Sequence, residues 1–593
     1  MAGLVSQFKA SSHMPAGILP TALSSACPLH GSRKRHVRVS GKGIHVTSPA
    51  RISCMGENAS GPWERLDRRD LLLGMGGLYA GLAAVGGGDA LASPIQAPDL
   101  SKCGAADIPA GASPTNCCPP YASDIVDYKF RPSGPLRVRP AAHLVDSEYL
   151  AKYERAVALM KALPADDPRN FTQQANVHCA YCDGAYDQVG FPDLELQVHN
   201  SWLFFPWHRF YLHFHERILG KLIGDPNFAL PFWNWDAPRG MTMPPIFTNS
   251  ASPLYDKLRD SRHQPPTLID LDFGATEEPP LTSQQQIRHN LAIMYRQMVS
   301  NGKTPTLFLG RPYRAGDEPD PGAGSLENVP HGPVHVWTGD STQPNGENMG
   351  TFYSAARDPI FYSHHSNVDR CWHLWKQLSQ RHVDFRDRDW LETSFLFYDE
   401  DARLVRVKVK DCLEPEMLGY TYQDVDIPWI SSRPTPTRSL AAAGKASTRQ
   451  LARSVAEATF PLTLKKAATV TVRRPKVSRK KEEKEQEEEV LVVDGIEFDR
   501  HNYIKFDVYV NAPGDGAGVT PSASEFAGSF VSVPHKHRHS KKEMKLKTRL
   551  RLGITDLLED LEAEDEQMVV VTLVPRKGKG LVKVGGVRIE FSS

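Results

Sequence analysis

Apolar positions recur at helical spacing over residues 147–162, and from there to about Pro428 the chain is dense in Trp, Phe and His. Prolines divide this region into helical stretches, and few runs alternate as strands do. The pattern predicts a mainly helical domain. The period then changes. Short alternating or wholly apolar β-branched runs occupy residues 468–472, 490–493, 505–510, 568–571 and 587–591, separated by charged or Gly/Pro turns, and these predict a small all-β sandwich. Between the two regions, residues 431–454 are Ser, Thr, Ala, Arg and Pro with little that can pack, the character of a solvated linker. Residues 480–489, almost wholly Lys and Glu, read as a solvated loop. No repeat of solenoid period is present.

Length fits this division, because 593 residues exceed what one hydrophobic core normally serves. Lys plus Arg number 70 against 69 Asp plus Glu, a net charge of +1 that supplies no global field for nucleic acid or an anionic membrane. A small-molecule ligand is expected. The N-terminus is Ser-, Ala- and Arg-rich with no acidic residue before Glu57, the composition of an organelle transit peptide. Arg68-Arg69-Asp70, the apolar residues 71–85 and Ala90-Leu91-Ala92 then read as a twin-arginine signal with its cleavage site. The apolar run falls short of the roughly 20 residues of a membrane span, so no integral span is expected in the mature form. That order of signals predicts a plastid protein sent on to the thylakoid lumen.

Candidate chemistry lies in the histidines. One group is His178-Cys179-Ala180-Tyr181-Cys182 with His199 and His208; Pro206 suits the first turn of a helix that carries His208. The other is His331-Gly332-Pro333-Val334-His335, followed by Asp358-Pro359, a helix start, and His364-His365. Spacing i, i+4 puts His331 and His335 on one face, where both can reach one ion. Adjacent His364 and His365 point about 100° apart, so only one can ligate, and helix geometry leaves the choice open. His215 returns to the face of His208 and competes with it. A Glu-x-x-His pair, as in di-iron carboxylate bundles, and the His-Glu-x-x-His of zinc hydrolases are both missing. Two all-imidazole triads favour a pair of copper ions.

These motifs, with the two-part targeting peptide, Asp389-Trp390-Leu391 and Lys505-Phe506-Asp507-Val508-Tyr509-Val510-Asn511, closely resemble plant polyphenol oxidases, the plastid branch of the tyrosinase and catechol oxidase family. The resemblance covers essentially the whole chain. It implies a targeting peptide at 1–92, a helix-bundle catalytic domain with a di-copper site at 93–430, an exposed linker at 431–455 and a β shielding domain at 456–593. It implies that His178, His199 and His208 bind the first copper, and His331, His335 and His365 the second. A thioether would join Cys182 to His199, and disulfides would pair Cys103 with Cys118 and Cys117 with Cys179; lumenal export makes disulfides admissible. Cys371 and Cys412 read as free core thiols. Phe352 matches the gate aromatic, expected above the second copper, and Glu327 the carboxylate that holds a water and accepts a phenol proton.

Gly332 departs from relatives with strong monophenol hydroxylation, which often carry Asn after the first ligand of the second triad. The implied reaction is oxidation of o-diphenols to o-quinones by dioxygen, with weak tyrosinase activity, in an enzyme kept latent by its β domain until the linker is cut. Residues 535–539, His-Lys-His-Arg-His, read as a solvated basic edge of that domain. A tyrosinase with substantial monophenol hydroxylation is one alternative. A haemocyanin-like oxygen carrier is another, against which plastid targeting and a cleavable cover argue.

Overall fold

The computed structural model describes residues 93–112, 114–130, 134–274, 281–437, 458–514, 516, 518–535 and 547–592. The targeting segment, residues 438–454 of the linker and residues 536–539 lie outside them. The helical region forms around α1 (Ser147–Ala162), α2 (Phe171–Cys182), α3 (Phe204–Ile223), α4 (Ser283–Tyr295), α5 (Gly332–Thr338) and α6 (Ile360–Leu378). Local chemistry sets the ends. Asp146 accepts the Tyr149 N–H to cap α1, and Asn170 accepts the Thr172 N–H to cap α2. Pro206 sits in the first turn of α3, which stops where Gly224 takes φ +68°. Asp358 Oδ1 accepts the Ile360 N–H at the start of α6.

α1 buries one stripe, Tyr153, Ala156, Val157 and Met160. By contrast α3 and the first thirteen residues of α6 are buried nearly all round, which makes them the central pair. Charges between them are paired. Asp369 of α6 meets Arg209 of α3 at 2.5 Å and Arg139 at 3.4 Å, and both tyrosine hydroxyls of Tyr420 and Tyr422 donate to it.

The C-terminal region is built of strands β1 (Ala468–Arg473), β2 (Glu488–Ile496), β3 (Ile504–Val510), β4 (Phe526–Ser532), β5 (Thr548–Gly553), β6 (Met568–Lys577) and β7 (Gly586–Ser592). They form two antiparallel sheets, ordered β5-β2-β7 and β4-β3-β6-β1. Leu491, Val493, Val508, Leu552 and Leu573 share one core between them, as a sandwich requires. β4 and β5 were not among the runs predicted from sequence. Two further expectations are corrected. Within 480–489, Lys481–Gln486 is a short helix, and Glu488 and Glu489 are buried at the start of β2, Glu489 held by Arg474 at 2.7 Å. The start of the linker is tied down, since Ser524 N–H donates to Thr435 C=O and Thr437 N–H to Glu525. No helix among the described residues is long and apolar enough to cross a membrane.

Candidate metal centre

Both histidine groups are buried and face each other. α2 carries His178 and α3 carries His208, with His199 on the loop between; ring centroids lie 5.0 to 5.8 Å apart. His331 precedes α5, His335 lies within it and His365 is on α6. Backbone carbonyls fix four of these rings. His178 Nδ1 pairs with Phe352 C=O (3.0 Å), His208 Nδ1 with Phe204 C=O (2.8 Å), His331 Nδ1 with Glu327 C=O (3.0 Å) and His335 Nδ1 with Met349 C=O (2.8 Å). A carbonyl only accepts, so each Nδ1 carries the hydrogen and each Nε2 keeps its lone pair.

The Nε2 atoms of His178, His208 and His331 are buried without a hydrogen-bond partner, and so are both ring nitrogens of His199. His335 Nε2 and His365 Nε2 stand 3.2 Å apart. Orphaned acceptors converging in a dry site would be costly unless an ion met them, so the residues present fit a pair of soft divalent or monovalent metal ions. Burial, reinforced by the neighbouring imidazoles, pushes His178, His199, His331 and His365 well below the usual histidine range. Burial takes His208 down to about 3 and His335 to about 4. All six rings are therefore neutral at ordinary pH, the form in which imidazole can ligate a metal.

Adjacent His364 and His365 form one buried group with His331 and His335, their ligand atoms within 4.8 Å of one another. Trp235 Nε1 donates to His364 Nδ1 at 3.1 Å, so the hydrogen of His364 resides on Nε2 and that nitrogen has no lone pair to offer. His365 Nε2 instead faces His335 Nε2 at 3.2 Å. His215 stacks on Tyr362 at 3.6 Å and His213 packs against Phe130, which makes both core aromatics. Cys182 is a buried free thiol, its sulfur within 4.8 Å of the ligand nitrogens of His178 and His199, and Cys371 and Cys412 are buried thiols too. Disulfides join Cys103 to Cys118 and Cys117 to Cys179, the second fastening the chain to α2 one residue from His178.

Glu327 is buried; its Oε1 accepts the Asn200 N–H at 2.5 Å, and its Oε2 has no partner. Burial pushes its carboxyl well above the usual range. Phe352 stacks on His199 of the first group (4.0 Å, 15°), and its own carbonyl is the acceptor for His178. Gly332 lies beside His331 under the β domain.

The end of β4 and the residues after it cross this site. Val531 N–H donates to Asn328 Oδ1 (2.9 Å), Asn328 Nδ2 donates to Ser529 C=O, and Thr351 Oγ1 donates to Pro534 C=O (3.1 Å). His535 corrects the reading of 535–539 as a solvated edge. It is buried and stacks on Phe352 at 5.0 Å, while Arg500 beside it pairs with Asp320 at 2.7 Å. The charged neighbours in the sequence disguised it. Trp235, Asn328, Asp320 and Thr351 carried no signal in the sequence, because each acts through a partner distant in the chain.

Two facing groups of neutral imidazoles in a helical core, with a strand-rich domain across them, define a tyrosinase-type dinuclear copper protein. Residues 168–378 match the common central domain of tyrosinase, 384–435 the polyphenol oxidase middle domain and 460–591 the chloroplastic polyphenol oxidase C-terminal domain. The chain belongs to the chloroplastic polyphenol oxidase family, being 59% identical to a chloroplastic polyphenol oxidase of Malus domestica over 540 residues, 89% of this chain and 90% of the other. It is 54% identical to aureusidin synthase of Antirrhinum majus over 510 residues, 84% and 89% of the two chains. Its structure resembles that of latent apple tyrosinase with TM-score 0.75 and 61% identity, over 79% of this chain and all of that one. It is thus a plastid oxidoreductase of small phenols and dioxygen that uses two copper ions.

Proposed function

We propose that the chain is a latent catechol oxidase of the thylakoid lumen, made as a precursor whose residues 1–92 address it there. Residues 93–430 form the catalytic domain, 431–455 the linker and 456–593 the cover. His178, His199 and His208 would hold one copper and His331, His335 and His365 the other. When bound, the copper pair supplies the electron exchange between dioxygen and the phenol. The Nδ1–H to carbonyl bonds hold four of the rings in register before metal arrives. Glu327 Oε2, buried and unpartnered, would take the phenol's proton from its ionised form, and burial raises the affinity of that form for a proton. A thioether between Cys182 and His199 would fix the one ring of the first triad that lacks a carbonyl partner on either nitrogen.

The observation that carries latency is His535 stacked on the face of Phe352 turned away from His199, where a phenolic ring would otherwise enter. The preference for diphenols rests on Gly332, which adds no side-chain acceptor to Glu327. Trypsin nicking within residues 438–453, followed by oxygen uptake with 4-methylcatechol and with 4-methylphenol, tests both. Expected is a rise of roughly tenfold or more for the catechol and little for the monophenol. Unchanged uptake after clean cleavage sinks latency, and a comparable monophenol rate sinks the preference. A tyrosinase with strong monophenol hydroxylation is the second reading, favoured by the name of the 61% identical apple structure.

A further inference from the structure

Gly332 stands directly beneath the β domain. A Cβ built on it would lie 3.0 Å from Val531 Cγ1, 3.4 Å from Val533 Cγ2 and 3.8 Å from Val531 Cβ. The first of these is tighter than ordinary van der Waals contact, so even a methyl group requires the cover to give way. Neither valine can yield easily. Val531 is in β4, its N–H held by Asn328 Oδ1 at 2.9 Å and its place in the sheet set by the pairing of Val531 with Lys505. Val533 is flanked by Pro534, whose carbonyl accepts from Thr351 Oγ1 at 3.1 Å and from Phe352 N–H at 3.4 Å. The backbone is therefore anchored to the helical domain on both sides of the contact.

An asparagine side chain, with three heavy atoms beyond Cβ, has still less room. A side chain that could stand beside Glu327 thus competes with the seated cover for the same space. We propose that Gly332 is a positioning residue for the cover: Val531 and Val533 require a position 332 without a side chain. One residue then sets both how closely the β domain seats and whether a side chain can assist Glu327. A chain of this design gains a polar group next to the second triad only by loosening its cover, which couples substrate preference to latency. The proposal rests on the reading of the β domain as the element that closes the site.

The test uses the full chain, with amide hydrogen exchange across residues 526–535 measured on copper-free protein and catechol oxidation measured on the copper-loaded protein before and after trypsin. Gly332→Ala should quicken exchange in this segment roughly tenfold, and Val531→Ala in the same chain should return it to near the wild-type rate. Val531→Phe, which pushes from the cover and leaves the catalytic domain's sequence intact, should quicken exchange too. It covers the case in which Gly332→Ala fails to fold. The ratio of oxidation after trypsin to that before should fall in the single variants and recover in the Gly332→Ala, Val531→Ala pair. Wild-type exchange in both single variants, or no recovery in the pair, overturns the proposal. Faster exchange with latency intact leaves the contact established and refutes the reading that the β domain closes the site.

Discussion

Asp369→Asn tests the frame that holds the two triads in register. Asp369 is four residues beyond His365 on α6, and Arg209 directly follows His208 on α3, so their 2.5 Å pair ties a histidine of each group to the other. The substitution keeps the shape and removes the charge. Arg209 then retains only the Cys412 and Leu413 carbonyls, while Arg139 retains Glu216 at 2.8 Å. Breaking a buried pair on one side costs about 3–5 kcal/mol, and an amide nitrogen turned toward a guanidinium adds repulsion. The tyrosine hydroxyls can still donate to the remaining oxygen, which favours the lower end. At about 2 °C per kcal/mol for a domain of this size, the melting temperature should fall by roughly 6–10 °C. Scanning calorimetry of the copper-free chain measures this without help from the metal, and copper titration should show roughly tenfold weaker binding from displaced α3 and α6. A melting temperature within about 1 °C of wild type would refute the argument that this pair carries the frame.

Copper content separates the adjacent histidines: His365→Asn should lose about half the bound copper, whereas His364→Asn should retain both ions, and the reverse in atomic absorption would contradict the tautomer assigned through Trp235. Lys505→Met leaves Asp272 and Asp507, which share Ser529 Oγ at 3.0 and 2.8 Å, without the ammonium group between them. Catechol oxidation before trypsin should rise roughly tenfold or more, since the cation that joins Asp272 of the helical domain to Asp507 of the cover is then gone; an unaltered latent rate would show that this clasp is not limiting. Acid should open the seam at Asp320. Burial works to raise that carboxyl, but Arg500, with His535 and Asn200, outweighs it and holds it below the usual range. The closed form therefore binds its proton less readily than the open form, and its contribution is present above the ordinary carboxylate range and lost as pH falls through the depressed pKa. Susceptibility of the linker to pepsin, which is active at that pH, should climb in that window, and Asp320→Asn, already lacking the charge, should show no such acid step.

Elements that satisfy themselves locally were legible. α1 runs from Ser147 to Ala162 as its periodicity predicts, because Asp146 and a single buried stripe specify it without help. Strands rich in Val and Ile, β3 and β6 among them, announced themselves in the same way. β4 did not, since Phe526-Ala527-Gly528-Ser529 offers small residues with weak strand preference, and its burial comes from packing against residues some 200 positions earlier. The choice between His364 and His365 was hidden for a related reason. The indole N–H that bears on it lies 129 residues away, and no spacing rule reaches that far. The expectation for Phe352 came from the resemblance alone, and its contact with His199 and the turn of its carbonyl toward His178 carried no signal in the sequence.

The seam explains why the site was only half visible. Val519, Phe526, Val531 and Val533 of the β domain join the core of the helical domain, so the contact is adhesive, but apolar adhesion alone tolerates sliding. Buried polar groups remove that freedom. Lys505 reaches Asp272, Arg500 reaches Asp320, and Asn328 uses its amide for one acceptor and one donor of the backbone of β4. Each pair is strongly disfavoured when one partner is displaced, so the cover has one register in which all are satisfied. In the sequence these residues look like scattered surface charges, because their partners lie in the other domain. A seam specified this way stays shut while each charge has its partner and weakens in steps as partners are lost, which is why single substitutions at Lys505 or Asp320 should loosen the cover without unfolding either core.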